Sequence, residues 1–144
     1  MEYADVSLAL ELGCNVPQVR LYRRNAAALR ELHDLWAMEP GTMAKLASGG
    51  LLDLVVERLW EREASLSHYG IQNGDLMADP DIVLQIDPKG AWIRAVEFRN
   101  DYLGMRRDYR DDPRGCADLN RFLATWLVNM KSQGYVLRLA GEGA

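Results

Sequence analysis

The sequence contains few of the residues that build disulfide-bonded or metal-stabilised scaffolds. Among its 144 residues there are two cysteines, Cys14 and Cys116, and two histidines, His33 and His68. Two cysteines so far apart predict free thiols in a reducing cytosol rather than a disulfide framework. With so few thiolate and imidazole ligands, a zinc site built on thiolates is excluded, and no cofactor is predicted.

Long apolar segments are also missing. No apolar run approaches the roughly 18 residues of a membrane-spanning helix, and no basic and apolar leader precedes a small-residue cleavage site. We therefore expect a cytoplasmic protein with no membrane partner. The net charge of −4 argues against broad electrostatic binding to nucleic acid, although it is compatible with a local basic face.

The rest of the composition is that of an ordinary globular domain. Hydrophobic residues make up 49% and charged residues 26% of the chain. The length suits one domain with its own core, and there is no internal repeat or low-complexity segment. We predict a single domain over residues 1–144, with a helical part at 1–63, a β-meander at 64–110 and a closing helix at 112–134.

Helical signals dominate the first part of the chain. The first predicted helix, near residues 5–12, ends at Gly13, which suits a left-handed cap. Pro17 suits the first turn of a second helix, which Pro40-Gly41 stops. An apolar stripe predicts further helix over residues 42–63.

From Ser65 the hydrophobic pattern changes to the period of two that is typical of strands. Asn73-Gly74 and Asp87-Pro88-Lys89-Gly90 are tight-turn sequences, and the second predicts a hairpin. The strands are predicted at about 65–72, 81–87, 91–99 and 102–109. Asp112-Pro113 opens a last helix that ends at Gly134, and residues 135–139 are compatible with a short final strand.

The predicted fold class is therefore α+β. We expect an antiparallel β-meander of about four strands, packed against N-terminal helices and a C-terminal helix.

Polar and turn-forming residues are concentrated between residues 68 and 81. Asn73-Gly74 and Asp79-Pro80 each bend the chain within a few residues, which would gather polar side chains that a simple hairpin does not need. The residues predicted to form a binding surface at one edge of the sheet are His68, Tyr69, Gln72, Asn73, Asp75 and Asp79. The alternative is that these side chains only satisfy their own turns.

Residues 7–24 fit the spacing of a helix-turn-helix. Ala9 would lie where two helices cross, Gly13 in the turn, and Val19 on the inner side of the second helix. The residues that would then meet base edges or phosphates are Gln18, Arg20, Arg23 and Arg24. Many helical hairpins share this spacing, so the alternative is a hairpin packed on a sheet with its arginines in solvent.

Two carboxylates suggest a further alternative, a metal-dependent nuclease. Pro80-Asp81, followed by a hairpin and Glu97-Phe98-Arg99, is similar to the Pro-Asp…Glu-x-Lys arrangement of many nucleases. Asp81 and Glu97 would hold Mg²⁺, which prefers oxygen ligands. Arg99 departs from this pattern, because arginine does not replace the lysine that orients water there. Otherwise Asp81 belongs to a turn and Glu97 pairs with Arg94 or Arg99.

The central stretch also resembles a known bacterial family of domains of unknown function. The resemblance rests on His68-Tyr69, Gln72-Asn73-Gly74-Asp75-Leu76-Met77, Asp79-Pro80-Asp81 and Asn100-Asp101-Tyr102-Leu103-Gly104. It covers roughly residues 66–104, and Gly70 stands where a bulkier residue is expected. Because that family is found mainly on plasmids and integrated mobile elements, the resemblance implies a bacterial, cytoplasmic accessory protein of a mobile element.

These observations lead to one main functional prediction. No side chains are spaced as a catalytic set, so we expect a non-catalytic binding protein that engages a protein of the bacterial host or its defence systems. A helix-turn-helix regulator and a nuclease are the alternatives. The sequence does not predict an oligomeric state.

Overall fold

The computed structural model describes residues 3–138. Within this range, the helices are α1 (Tyr3–Leu12), α2 (Val16–Leu32), a 3-10 helix (Leu35–Ala37) and α3 (Pro113–Ser132). The strands are β1 (Thr42–Ala47), β2 (Leu54–Trp60), β3 (Glu63–Gln72), β4 (Asp75–Ile86), β5 (Ile93–Asn100), β6 (Met105–Asp108) and β7 (Val136–Leu137). The predicted α+β class is confirmed.

The strands form one antiparallel sheet in the order β6-β5-β4-β3-β2-β1-β7. Strands β1 to β6 follow one another as hairpins, which confirms the meander. Strand β7 returns after α3 and pairs with β1, with Leu46 opposite Leu137. The predicted number of about four strands is wrong, because the described residues contain seven.

The largest correction concerns residues 42–63, which form β1 and β2 rather than a helix. Leu54 and Val56 are fully buried on one face of β2, whereas Val55 and Glu57 alternate with them on the other. This is the period of a strand. The apolar residues of this segment fit both periods, and pairing with β3 decides between them.

Helix α2 is shorter than predicted, because it ends at Leu32 and not near Pro40. The chain then makes the 3-10 turn, and the guanidinium of Arg58 binds to the backbone of this turn. Arg58 donates to the carbonyls of Trp36 (3.3 Å) and Met38 (3.1 Å), and to that of Glu61 (3.0 Å) in the β2–β3 turn. The side chain of one strand therefore fixes the path of the helix–strand connection.

The core lies between one face of the sheet and helices α2 and α3. Helix α1 packs on α2, and both α2 and α3 contact β5. The fully buried large side chains of this core include Leu29, Leu46, Leu54, Leu66, Ile82, Leu84, Ile93, Leu123 and Leu127. We call the opposite side, which carries Lys45, Glu57, Asp81, Glu97 and Arg99, the open face.

The first half of β5 is an edge, because β6 pairs only from Glu97 onward. Asn120 of α3 covers this edge with its side chain. Its Oδ1 accepts from the Ala95 N–H (2.8 Å), and its Nδ2 donates to the Ala95 carbonyl (3.0 Å) and the Cys116 carbonyl (2.8 Å). The edge is thus closed to a further strand by a buried amide.

The predicted turn at Asn73-Gly74 is confirmed, but the predicted break in the chain at Asp79-Pro80 is wrong. Asn73 and Gly74 both have positive φ, 53° and 83°, as a two-residue hairpin turn requires. Strand β4 then runs without interruption through Pro80, whose preceding peptide bond is cis, and the shift in register is taken up opposite Ser67 and Tyr69.

The end of the described chain follows the prediction closely. Asp112 caps α3 by accepting from the Gly115 N–H (3.0 Å), and Val136–Leu137 forms the short last strand. Residue 139 lies outside the described residues. None of the helices between residues 3 and 138 combines the length and apolar character that crossing a membrane requires.

Candidate functional site

His68, the first of the six predicted binding residues, faces the helical layer. Its ring centroid lies 5.2 Å from that of Trp126 and 5.7 Å from that of Tyr135. Its Nδ1 lies 3.0 Å from the carbonyl oxygen of Asp53. His68 is therefore a packed aromatic residue that ties β3 to the chain before β2 and to α3.

Tyr69 points to the open face, because neighbouring strand residues alternate between the two faces. Its hydroxyl donates to Asp81 Oδ2 (3.3 Å), on the next strand. The second oxygen of Asp81 is buried and has no hydrogen-bond partner among the described residues. Tyr69 and Asp81 therefore form one polar unit on the open face.

The other four predicted residues lie further along the same hairpin. Gln72, Asn73 and Asp75 are exposed at its tip. Asp79 accepts a hydrogen bond from Asn100 Nδ2 (3.0 Å). The structure thus brings the three tip residues together, but it separates them from His68, which lies on the other face of the sheet.

The two parts of the sequence motif meet in space. The Ala78 N–H donates to Asp101 Oδ2 (2.7 Å), in addition to the contact between Asp79 and Asn100. A side chain at Gly70 would overlap the hydroxyl of Tyr102. Gly70, which departs from the expected pattern, therefore leaves the space in which the Tyr102 ring lies over β3. The turn at 101–104 is docked on the long β3–β4 hairpin.

Apolar side chains on the open face form a feature that the sequence did not indicate. Met43 is 55% exposed, and Ile71 and Leu76, a directly opposed pair in the hairpin, are 75% and 65% exposed. They line a groove of about 510 Å³ together with Lys45, Asp53, Val55, Glu57 and Tyr69. We call this groove the hairpin groove. Sequence reasoning missed it because Met43 fell in a predicted helix.

Asp81 and Glu97, the predicted metal ligands, lie on the same face, since Val83 is opposite Glu97 and Asp81 is opposite Arg99. Glu97, however, accepts from Arg110 (3.0 Å), which also pairs with Asp108 (2.8 Å). Asp81 is 3.9 Å from the Arg99 guanidinium. In residues 3–138, no cluster of three or more potential metal-ligating side chains is present.

The proposed helix-turn-helix segment does form two helices. Ala9 and Val19 are buried, and Gly13 has a φ of 67° in the turn between α1 and α2. Arg20 and Arg24 are exposed on α2. The other two predicted DNA contacts are engaged elsewhere, since Arg23 pairs with the buried carboxylate of Asp5 (2.7 Å) and the Gln18 side-chain oxygen is buried.

A family model described as a domain of unknown function (DUF6908) matches residues 24–136. The matched range contains β1 to β6, α3 and the larger part of α2, so it is wider than the central motif. No curated protein and no solved structure matches the chain significantly. The match is to a family of unknown function, and an origin on plasmids or mobile elements stays a prediction.

Proposed function

We propose that this chain, which belongs to the DUF6908 family, is a non-catalytic binding protein that engages another protein through the open face of its sheet. The single observation that carries the proposal is the hairpin groove, where Met43, Ile71 and Leu76 expose large apolar side chains. Isolated exposed apolar residues are common, but a contiguous group with a polar rim is typical of an interaction surface.

The polar side chains of the open face support binding rather than catalysis. Asp81 is held by Tyr69 and Arg99, and Glu97 by Arg110, so both carboxylates already have partners. Charged groups that face a partner across an interface steer it and set its register more than they add affinity. The groove next to them supplies the apolar area that affinity requires.

The partner that we propose is a protein of a bacterial host or of its defence systems, and the chain would act as an accessory protein of a mobile element. This part rests on the resemblance of the central motif to a family found on such elements. The motif segments 69–79 and 100–104 lie against each other beside the hairpin groove. The contacts between these two segments therefore hold the hairpin that forms one side of the groove.

The test is capture of a host protein by a groove variant. Replacing Ile71 with lysine and Leu76 with glutamate keeps the net charge and leaves opposite charges across the hairpin, so the hairpin itself should persist. We expect capture of the specific partner from host lysate to fall at least about tenfold, since each buried apolar side chain contributes about 1.5–3 kcal/mol. Quantitative mass spectrometry of the bound fraction measures this.

The matched control carries the same two changes on the helical side, Leu10→Lys and Val128→Glu, where both residues are exposed. It should capture the partner as the wild type does. Equal capture by wild type and groove variant would contradict the proposal. If the groove instead joins two copies of this chain, the groove variant alone would convert a dimer to a monomer in light scattering.

DNA binding through α2 is the second candidate function. It is favoured by the exposed Arg20 and Arg24, which with Pro17 and Arg23 line a surface groove of about 540 Å³.

A variant with alanine at both Arg20 and Arg24 tests this candidate, because it leaves the Arg23–Asp5 pair intact. In a plot of the logarithm of the duplex-binding constant against the logarithm of salt concentration, we expect this variant to make the slope about two units less steep. Each phosphate contact contributes about 0.9 to that slope. Arg107→Ala, at an exposed site on β6, is the control; an unchanged slope would remove this candidate.

A further inference from the structure

A second cleft, which shares no lining residue with the hairpin groove, lies between the α1–α2 turn, β5 and the start of α3. Its volume is about 320 Å³, at the lower end of the range for small-molecule sites. Chain segments far apart in sequence meet there, since Gln18 and Tyr22 of α2 face Arg94 of β5 and Cys116 of α3.

Arg94 is a partly buried cation that has no anionic partner among the described residues. Its Nε is buried and makes no hydrogen bond, and its Nη1 donates to the neutral Gln85 side chain at 3.4 Å. Within residues 3–138 no carboxylate forms an ion pair with it, whereas Arg110, which also lines the cleft, is paired with Glu97 and Asp108. Because a buried charge without a partner is costly, this guanidinium is suited to an anion that enters the cleft.

The start of α2 favours an anion as well. Helix α2 begins at Val16, is capped by the neutral Asn15, and borders the cleft with the positive end of its dipole. The N-terminus of α3 also borders the cleft, but the Asp112 carboxylate already caps it. The C-terminal turn of α1 also borders the cleft, at Leu12 and Gly13, and brings negative potential to that side. One side of the cleft therefore favours an anionic group, and the other side favours a hydrogen-bond donor on the same ligand.

The uncharged side chains of the cleft indicate which second group, besides the anionic one, the ligand would carry. The Gln18 Oε1 is buried and accepts no hydrogen bond from the described part of the chain, so it needs a donor. Burial raises the pKa of the Tyr22 hydroxyl and that of the Cys14 thiol above their usual values, so both keep their protons at neutral pH. They remain donors toward an anion and add no negative charge of their own.

We propose that this cleft binds a small oxyanion that also carries a hydrogen-bond donor, as hydrogen phosphate does. The ionised oxygens take the Arg94 guanidinium, and the hydroxyl group donates to the Gln18 Oε1. This site is separate from the hairpin groove, so it neither depends on the protein-binding proposal nor tests it.

Isothermal titration calorimetry with inorganic phosphate at neutral pH, against sodium chloride of equal ionic strength, tests the site. We expect saturable binding that Arg94→Gln weakens at least about tenfold, the effect of losing one charge-assisted contact. Arg107→Gln removes the same charge at an exposed position on β6 and should leave the affinity unchanged. Equal phosphate affinity for Arg94→Gln and wild type, or no binding by wild type, would overturn the proposal.

Sulfate separates the two parts of the inference, because it presents ionised oxygens but has no proton to donate at neutral pH. We expect sulfate to bind the wild type more weakly than phosphate does. Equal affinities would overturn the role assigned to Gln18.

Alkylation of Cys14 gives a readout on the unaltered protein, in case Arg94→Gln folds poorly. Cys14 lines the cleft and is partly exposed, whereas Cys116 is 2% exposed. Phosphate should slow the modification of Cys14 by iodoacetamide more than sulfate or chloride does at the same ionic strength. Mass spectrometry of the Cys14 peptide measures the rate of modification. An identical rate in all three salts would show that phosphate does not occupy the cleft.

Discussion

Replacing Asn120 with alanine is expected to lower the free energy of unfolding by about 3 kcal/mol, since each buried polar group left without a partner costs about 1–3 kcal/mol. Two such groups are involved, namely the N–H and the carbonyl of Ala95. The Cys116 carbonyl, four residues before Asn120 in α3, keeps its helical hydrogen bond. Asn120 is 0% exposed, so water cannot easily take its place. Urea denaturation followed by circular dichroism measures the change.

Asn129→Ala is the matched control, because this asparagine lies on the exposed side of the same helix. Its effect should stay within about 0.5 kcal/mol, as is usual for surface substitutions. Asn120→Asp retains an acceptor for the Ala95 N–H but loses both donors, so it should also destabilise the protein. Equal stabilities of Asn120→Ala and Asn129→Ala would contradict the edge-covering role.

Replacing Arg58 with alanine is expected to have a comparable effect, about 3 kcal/mol or more, because hydrogen bonds from charged donors contribute about 1.5–3 kcal/mol each. Arg58 is 7% exposed and donates to three carbonyls, those of Trp36, Met38 and Glu61. Its loss would leave the connection between α2 and β1 without its support. The same denaturation experiment measures the effect.

Arg58→Lys tests whether geometry or charge matters. A lysine ammonium is a single point on a flexible stem and does not reproduce the planar fork of donors, so most of the loss should remain. Arg62→Ala, at an exposed position in the following turn, should be nearly neutral. A fully stable Arg58→Lys variant would show that charge alone supports the connection.

Several features of this protein were determined by short stretches of sequence. Asn73-Gly74 formed the predicted hairpin turn, with both residues at positive φ. The Gly90 N–H donates to the Asp87 carbonyl (2.9 Å), as the predicted turn requires, and Asp112 caps the last helix. These predictions succeeded because the conformation of a turn or a cap depends on residues that are neighbours in the chain.

Other features depended on which segments pair and pack. Residues 42–63 have apolar residues that suit either a helix or a strand, and only hydrogen bonding to β3 selects the strand. Whether His68 or Tyr69 reaches the open face depends on the register of β3, since a shift of one residue exchanges the faces. The sequence alone could therefore identify the hairpin but not which of its side chains are presented together.

The two candidate sites show the same division. The hairpin groove joins Met43 to Ile71 and Leu76, and the second cleft joins Gln18 to Arg94 and Cys116. By itself, the sequence determined the helix and strand signals, the turns and the small number of reactive side chains. Only the tertiary structure decided which apolar side chains remain exposed and which guanidinium has no carboxylate beside it within residues 3–138, because both depend on contacts between distant segments.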